Sequence, residues 1–428
     1  MQTGPRILKR LTMKQTMGIH QRSQCFFVAI TTTAFLFSFA VLLSLTHPDD
    51  APLLSYFPDT TFDNHPELEL NESQIFTLAI FSDLHYGEEE HGWGIDQDIK
   101  STRVMNSVLD LEHSIDLVVL NGDLITGENT FKVNSSEYLD QIVAPLVDRS
   151  IPWASTYGNH DSKFNLSRES IYQAEKRYPL SYTQKMNAHL PGVTNYYLLV
   201  QGSNGRPAAV LWFFDSRGGA SYQRDPSNQD DIPNWVADET AAWYKASRAQ
   251  LRSQYGLLPS IAFVHIPPHP FLAAQDAGLD VGRFPGINDD VPLAIQGEGH
   301  NDDAFVDSIL EDSLLNSIYV GHDHGDAWCA TWPNPSRTSS RVSGHTRAKK
   351  AGPILCFSRH TGYGGYGTWD RGARIVQLSF QNVDDDNALN GSGEMRVDTW
   401  VRMENGGIIT RVTLNETYGT DVYAEQKP

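Results

Sequence analysis

Basic residues are scarce in this sequence. Its 428 residues contain 33 Lys and Arg against 52 Asp and Glu, which gives a formal net charge of −19 at pH 7. A nucleic-acid-binding surface needs clustered Lys and Arg opposite the phosphates, so this composition argues against a nucleic-acid partner. An anionic substrate would have to be attracted by a local positive charge or by bound metal ions.

Acidic residues are absent from the first 48 positions, which hold five Lys and Arg. An uncharged, apolar run from Cys25 to Leu45 follows this basic segment and is long enough to cross a bilayer as a helix. We therefore interpret residues 1–25 as a basic cytosolic head, 26–45 as a transmembrane signal anchor, 46–74 as a stalk and 75–428 as the folded domain. The excess of positive charge before the anchor places that domain in the lumen of the secretory pathway or vacuole, or outside the cell. A cleaved signal peptide, followed by secretion, is the alternative.

Cysteine is rarer still, with three in the chain. Because Cys25 lies at the membrane edge, Cys329 and Cys356 are the only possible lumenal pair. They form either a disulfide, as an oxidising compartment permits, or two buried free thiols. Five N-x-S/T sequons are candidate glycosylation sites on the same side of the membrane. They are Asn71, Asn134, Asn165, Asn390 and Asn415.

Apolar runs alternate with amphipathic segments in the first half of the folded domain. This β-α-β-α-β order predicts a parallel or mixed sheet. The predicted helices cover 101–112, 136–149 and 236–255, and strands are expected before Asp83, Asp123 and Asn159 and at 208–216, 260–268, 317–324 and 353–358. The tail from Ala373 alternates with period two between turns, which indicates antiparallel strands. The polar segments 218–235 and 272–301 are predicted loops.

Several of these apolar strands end abruptly in Asp, Asn or His. The carboxyl ends of strands in an open α/β sheet converge on one crevice, so these side chains are expected to meet. They are Asp83, His85, Asp123, Asn159, His160, His265, His322 and His324. Carboxylate oxygen and imidazole nitrogen together hold pairs of divalent or trivalent metal ions such as Mn, Fe or Zn. Two such ions bridge a hydroxide and clamp a phosphate, so the pattern indicates phosphate-ester hydrolysis.

In chain order, D-x-H, GD, GNHD, an isolated His and GH-x-H resemble the calcineurin-like metallophosphoesterase superfamily over residues 76–370. A closer likeness is to a branch that contains atypical purple acid phosphatases of plants and related fungal phosphatases. It rests on FSDLHYGEEE, on the D-x-x-S-x-R-V-M stretch from Asp98 to Met105, on PGINDD, and on VGHDH followed by GYGGYGTWDRGAR. The resemblance implies a four-layer αββα sandwich of two mixed sheets, with residues 75–428 as the catalytic domain.

The same resemblance implies a division of the ligands between two metals. Asp83, His85 and His324 would hold one ion, Asn159, His265 and His322 the second, and Asp123 would bridge both. A metal-bridged hydroxide would attack phosphorus, and His160 would assist the leaving group. Purple acid phosphatases carry a Tyr three residues after the GD aspartate, but this chain has Thr126 there, so a purple ferric–tyrosinate centre is not implied.

Arg359, His360 and Tyr363 lie in a Gly-rich loop after a predicted strand and are candidate substrate-binding residues; a solvated surface loop is the alternative. Asp161 is expected either to orient His160 or to cap a turn. His269 and His300 are expected to be surface residues. The expected substrates are phosphate monoesters, including phosphoproteins. A phosphodiesterase or lipid phosphoesterase on the same fold is the first alternative, and a membrane-tethered binding protein without activity is the second.

Overall fold

The strands that precede the candidate ligands alternate between two buried faces. In β2 (Ile75–Phe81), Leu78 and Ile80 point to one apolar cluster, whereas Ala79 and Phe81 point to another. Successive side chains of a strand point to opposite faces, so a strand buried on both faces reads as the continuous apolar run seen here. The structure, a computed structural model, describes residues 65–131, 135–221, 230–333, 352–381 and 394–424.

Six strands form one mixed sheet. Its order is β13-β12-β11-β2-β3-β4, with β3 (Leu117–Asn121) and β4 (Trp153–Thr156) parallel to β2. The other three strands are β11 (Gly372–Gln381), β12 (Glu394–Met403) and β13 (Ile408–Thr413). These pair antiparallel, as the period-two pattern of the tail predicts.

Seven strands form the second sheet, in the order β1-β5-β6-β7-β8-β10-β9. Its strands are β1 (Leu68–Glu69), β5 (Tyr196–Gln201), β6 (Pro207–Phe214), β7 (Ser260–Val264), β8 (Leu315–Val320), β9 (Cys329–Ala330) and β10 (Ile354–Phe357). A disulfide joins Cys329 to Cys356 across the antiparallel pair β9–β10. Of the two alternatives left open by the sequence, the structure has the disulfide.

Helices cover the outer face of each sheet. On the six-stranded sheet they are α1 (Trp93–Leu111), α2 (Tyr138–Arg149), which a 3-10 turn (Ser135–Glu137) precedes, and α3 (Arg168–Glu175). On the seven-stranded sheet they are α4 (Asp238–Tyr255), α5 (Pro270–Asp276) and α6 (Asp303–Leu310). One apolar cluster lies between the sheets and one lies under each helical layer, so the expected αββα order is observed.

Some elements differ from the expectations. β1 lies within the segment interpreted as a stalk and pairs with β5, so the folded unit begins before residue 74. α1 begins at Trp93 rather than at residue 101. The sequence does not indicate its first two turns, because Trp93, Ile95 and Ile99 are exposed there and form no amphipathic pattern. α5 occupies the start of the predicted loop 272–301.

The proposed head and anchor (residues 1–45), most of the stalk, Asn134 and Asn390 lie outside the described residues. Among the helices that the structure describes, none has the length and apolarity needed to cross a membrane. Asn71 and Asn415 are exposed and Asn165 is partly buried.

Candidate metal centre

Side chains from the ends of five strands meet at one edge of the sandwich. Asp83 and His85 follow β2, Asp123 follows β3, and Asn159 and His160 follow β4 in the six-stranded sheet. The seven-stranded sheet contributes its side chains from the ends of β7 and β8. These are His265, His322 and His324.

Two groups of ligand atoms form within this cluster. Asp83, His85 and His324 offer atoms that all lie within 4.8 Å of one another, and so do Asp123, His265 and His322. The two groups touch, because His85 Nε2 lies 3.8 Å from Asp123 Oδ2 and His265 Nε2 lies 3.8 Å from Asp83 Oδ1. Asp123 thus lies where the two groups meet, and with His85 and His160 it belongs to a further overlapping group. Asn159 contributes a buried Oδ1 that has no hydrogen-bond partner among the described residues.

Three of the imidazoles are held through their outer nitrogens. Nδ1 of His265 lies 2.8 Å from the Asn121 carbonyl, Nδ1 of His324 lies 2.8 Å from the Tyr366 carbonyl, and Nδ1 of His85 lies 3.2 Å from Thr126 Oγ1. Such contacts fix the ring so that Nε2 faces the metal. Nε2 of His85 is buried without a hydrogen-bond partner in the described residues, which costs free energy unless a metal ion binds there, and Nε2 of His265 faces Asp123 Oδ2 at 3.0 Å. The donors present therefore fit a dinuclear centre.

The carboxylates of the cluster remain ionised although they are buried. Burial alone would raise the pKa of Asp83, but His324 and His265 lower it to about 2. In the same way His265 and His160 outweigh burial and hold the pKa of Asp123 well below its usual range. Burial lowers the pKa of His322 to about 4, so this imidazole is neutral and able to bind a cation. Burial would also lower the pKa of His265, but Asp123 raises it to about 10, so the two buried carboxylates lie between one neutral imidazole and one that holds a proton when no cation is bound.

The backbone at the cluster is strained. Asp83, His85, Asp123 and His322 have φ between 49° and 76°, a region that residues other than Gly rarely adopt. Each such residue costs on the order of 1–3 kcal/mol and persists where the surrounding structure enforces it, commonly at functional sites. Four of the seven candidate ligands share this backbone conformation, so the orientation of these side chains lowers the stability of the folded protein.

Two glycines leave room for the metals, as their positions before Asp123 and Asn159 suggest. A Cβ at Gly122, where φ is 87°, would lie 2.4 Å from His265 Nδ1. A Cβ at Gly158 would lie 2.3 Å from Asp123 Oδ1. A side chain at either position would displace a candidate ligand.

His160 stands beside the ligand groups and is partly exposed. Its backbone N–H donates to Asp123 Oδ1 at 2.7 Å, and its Nδ1 lies 2.7 Å from Glu128 Oε1. Burial would lower the pKa of His160, but the charges of Asp123 and Glu128 raise it above its usual value. Its ligand atom also lies within 4.8 Å of those of His85 and Asp123. Sequence reasoning missed Glu128, which lies in the loop after β3 and follows no recognisable spacing.

Asp161 caps a turn and does not orient His160. Its Oδ1 accepts hydrogen bonds from the backbone N–H groups of Leu124 and Ile125 at 2.9 and 3.0 Å, and Oδ2 accepts from Gly158 at 2.8 Å. Asp161 thus ties the loop that carries Asp123 to the loop that carries Asn159.

The candidate substrate-binding residues occupy three different environments. The Arg359 guanidinium is buried and donates to the carbonyls of Asp370 in its own loop and of Gly325 in the loop after β8, so these donors are used within the protein. The Tyr363 hydroxyl donates to Glu404 at 2.8 Å. His360 is buried with its ring centroid 3.8 Å from that of His324, and burial holds its pKa well below the usual value. Of the three, His360 alone packs against a candidate ligand.

Tyr366, in the same loop, was not predicted. Its ring stacks on His324 with centroids 4.1 Å apart, and its hydroxyl donates to Asp290 of the PGINDD segment. The hydroxyl also accepts the backbone N–H of His324 at 3.2 Å. Tyr366 and Asp290 therefore fix His324 from outside the ligand group, in a way that no spacing in the sequence indicates.

Paired carboxylates and imidazoles at the strand ends of an αββα sandwich define a dinuclear metallohydrolase. The family model for calcineurin-like phosphoesterases matches residues 76–326, more than half of the chain, and the chain belongs to that family. Its relatives resemble purple acid phosphatases. "Probable inactive purple acid phosphatase 14" of Arabidopsis thaliana is 23% identical over 345 residues, which cover 74% of this chain and 78% of that protein.

"Phosphatase DCR2" of Saccharomyces cerevisiae is 26% identical over 284 residues, which cover 61% of this chain and 46% of the yeast protein. The match therefore spans about half the length of that relative. Among solved structures, a dimetal phosphatase from Danio rerio is 14% identical with a TM-score of 0.45. That alignment covers 79% of this chain and 98% of the other.

Proposed function

We propose that this chain hydrolyses phosphate monoesters, including phosphoproteins, with His160 as the acid that protonates the leaving oxygen. One observation carries the proposal: six of the seven candidate ligands form two groups that could each hold an ion, and a protonatable imidazole stands directly beside them, held by Glu128. The family and its phosphatase relatives support the reaction class. The word "inactive" in the name of the Arabidopsis protein makes activity itself the first point to test.

Asp83, His85 and His324 would hold one metal ion, and Asn159, His265 and His322 the other, with Asp123 shared. Two ions there, of Mn, Fe or Zn, would stabilise charge on the phosphoryl oxygens and supply a nucleophile at neutral pH. The chain's own residues do the rest. The outer contacts of the imidazoles keep the donor atoms in place, and Asp161 fixes the two loops relative to each other.

His160 would hold a proton on Nε2 and pass it to the ester oxygen as that oxygen departs. Its Nδ1 faces Glu128, which leaves Nε2 as the nitrogen available to substrate. The neighbouring charges of Asp123 and Glu128 favour the protonated form near neutral pH, because they raise the pKa of His160 against the effect of burial. An acid poised in this way contributes roughly 10²- to 10⁴-fold to a rate.

An open cleft of about 670 Å³ adjoins the backbone of the loop that carries Asn159, although no candidate ligand lines it, and we propose it as the place for a large leaving group. Gly219 lines it, and a Cβ there would lie 2.3 Å from the Asn159 carbonyl oxygen. Phe164 and Trp235 provide aromatic surface, and Lys163 provides a cation. The volume is far greater than one phosphate needs, so a peptide chain that bears the phosphate is our proposed occupant.

The test compares p-nitrophenyl phosphate, its bis-ester and a phosphopeptide on the metal-loaded protein. We expect the monoester and the phosphopeptide to be hydrolysed faster than the bis-ester. Faster turnover of the bis-ester would favour the phosphodiesterase alternative, and two bound metals with no turnover would favour a binding protein. His160→Gln should lose turnover and keep both metals; loss of a metal would make His160 a ligand instead.

We also propose that the chain is anchored by residues 26–45 with its catalytic domain in the lumen or outside the cell. The Cys329–Cys356 disulfide supports an oxidising compartment, and the exposure of Asn71 and Asn415 suits glycosylation. Glycosidase treatment of the protein from its native membrane fraction should lower its apparent mass. An unchanged mass together with carbonate-extractable protein would refute this placement.

A further inference from the structure

A second cluster of metal-ligating side chains lies outside the candidate centre. His269, His300 and Asp303 each offer one ligand atom, and these atoms all lie within 4.8 Å of one another. None of the three belongs to the ligand groups described above. His269 precedes α5, whereas His300 and Asp303 lie at the start of α6, so the cluster joins two segments about 30 positions apart in the sequence.

The spacing suits a small divalent ion. His300 Nδ1 lies 3.3 Å from Asp303 Oδ1. Donor atoms on a tetrahedral zinc ion, with bonds of about 2.0–2.1 Å, lie about 3.3 Å apart. Nδ1 of His269 is turned to Asp302, which leaves Nε2 of His269 as the nitrogen for the ion. The two imidazole rings meet edge to face, with centroids 4.4 Å apart at 73°.

A fourth residue, Asp302, supports this interpretation. Asp302 is the N-cap residue of α6, where an Asp usually accepts backbone N–H groups of its own helix, but it makes no such bond. It is fully buried, and its carboxylate instead accepts the backbone N–H of His269 at 2.8 Å and faces His269 Nδ1 at 2.7 Å. Carboxylates placed against a histidine in this way orient it as a metal ligand.

We propose that His269, His300 and Asp303 form a second, mononuclear site for a divalent transition-metal ion such as Zn²⁺. Two nitrogens and one carboxylate oxygen form a donor set that Zn²⁺ binds well and that Ca²⁺ and Mg²⁺, which prefer oxygen alone, do not. The ion would join the segment after His265 to the 297–303 loop. That loop is tied to the cleft, because the Gly297 N–H donates to Asn234 at 3.2 Å.

The test counts zinc in the full-length protein whose dinuclear centre has been disabled by Asp123→Asn. After loading with Zn²⁺ and dialysis, this variant should bind fewer zinc ions per chain than the wild type but should retain one. Adding His300→Ala should remove that equivalent and weaken Zn²⁺ binding by tenfold or more in titration calorimetry. His300 is 64% exposed, so the substitution leaves the core intact.

His113→Ala provides the matched control, because His113 is exposed and lies outside both clusters. In the Asp123→Asn background it should keep the zinc equivalent. Asp303→Asn gives a second, independent removal of a donor. A zinc equivalent that survives both His300→Ala and Asp303→Asn would overturn the proposal. The proposal would also be overturned if the Asp123→Asn variant bound no zinc at all and Zn²⁺ did not raise its melting temperature.

Discussion

The two sheets contribute differently to the candidate dinuclear centre. The six-stranded sheet supplies both carboxylates, the Asn159 amide, His85 and His160, whereas the seven-stranded sheet supplies imidazoles alone. Negative charge is therefore concentrated on one side of the centre. Each ligand group still includes residues from both sheets, because His324 completes the first group and His265 and His322 complete the second. Neither sheet could hold a metal pair by itself, so the site exists only after the sheets have packed.

The largest effect should follow removal of the one residue that belongs to both metal positions. Asp123→Asn keeps the shape of the side chain but removes the charge between the two groups. We expect phosphatase activity to fall to background and bound metal to fall in parallel, as measured by elemental analysis of the purified protein. Wild-type metal content with full turnover would show that the two groups are not joined through Asp123.

His322→Ala tests the seven-stranded sheet's side of the centre alone. We expect loss of about one metal equivalent, since the Asp83, His85 and His324 group does not include this residue. Activity should fall strongly, and excess metal should restore part of it because the carboxylates remain. His189→Ala, a histidine outside the cluster, is the matched control. Loss of both equivalents would contradict the separation into two groups.

Glu128→Gln should affect the acid and spare the metals. We expect kcat to fall by roughly tenfold or more, a part of the 10²- to 10⁴-fold that a positioned acid contributes. Glu128 is one of the charges that raise the pKa of His160. Without it the protonated acid is lost at lower pH, so the basic limb of the kcat/KM profile should move toward lower pH. An unmoved basic limb would show that His160 is not the group that titrates there.

Tyr366→Phe sharpens the comparison at His324. Phe keeps the stacked ring and the backbone carbonyl, but it removes the hydrogen bonds to Asp290 and to the His324 N–H. Partners outside the ligand shell are usually worth 10- to 100-fold in metal affinity, and with most contacts kept we expect a loss near the lower value, about tenfold. The measurement is competition with a chelator. Tyr363→Phe, in the same loop but hydrogen-bonded to Glu404, should leave affinity unchanged.

The smallest effect on activity should come from the disulfide of the seven-stranded sheet. Replacing Cys329 and Cys356 by Ser removes a link across 27 residues, which should lower the free energy of unfolding by roughly 3 kcal/mol. Denaturant unfolding measures this loss. Turnover at 25 °C should be unchanged, because the linked strands β9 and β10 carry no candidate ligand. Lost turnover in a folded variant would show that this edge of the sheet shapes the centre.

Much of the centre could be predicted from the sequence because its ligands follow buried strands directly. A continuous apolar run that stops at Asp, Asn or His marks a strand end, and the fold brings such ends together. The runs alone predicted a parallel or mixed sheet, whereas the four-layer order was implied by the family resemblance, and β2 and β6, each buried on both faces, agree with it.

Residues that act through loops could not be predicted in this way. Glu128 and Tyr366 reach His160 and His324 from segments without periodicity, and only the closure of the loops brings them together. Arg359 illustrates the opposite problem. Its position after a strand and among glycines suggested contact with an anion, yet its guanidinium donates to the carbonyls of Asp370 and Gly325.

The left-handed backbone at Asp83, His85, Asp123 and His322 has a consequence for any protein of this fold that would lose its metal ligands. Once selection for metal binding is relaxed, a glycine at any of these positions would remove both the ligand and the conformational penalty. Decay of the centre should therefore proceed through stabilising replacements, and a pseudoenzyme of this fold would withstand heat better than its active ancestor. This chain has a residue other than glycine at all four positions and therefore bears the conformational cost.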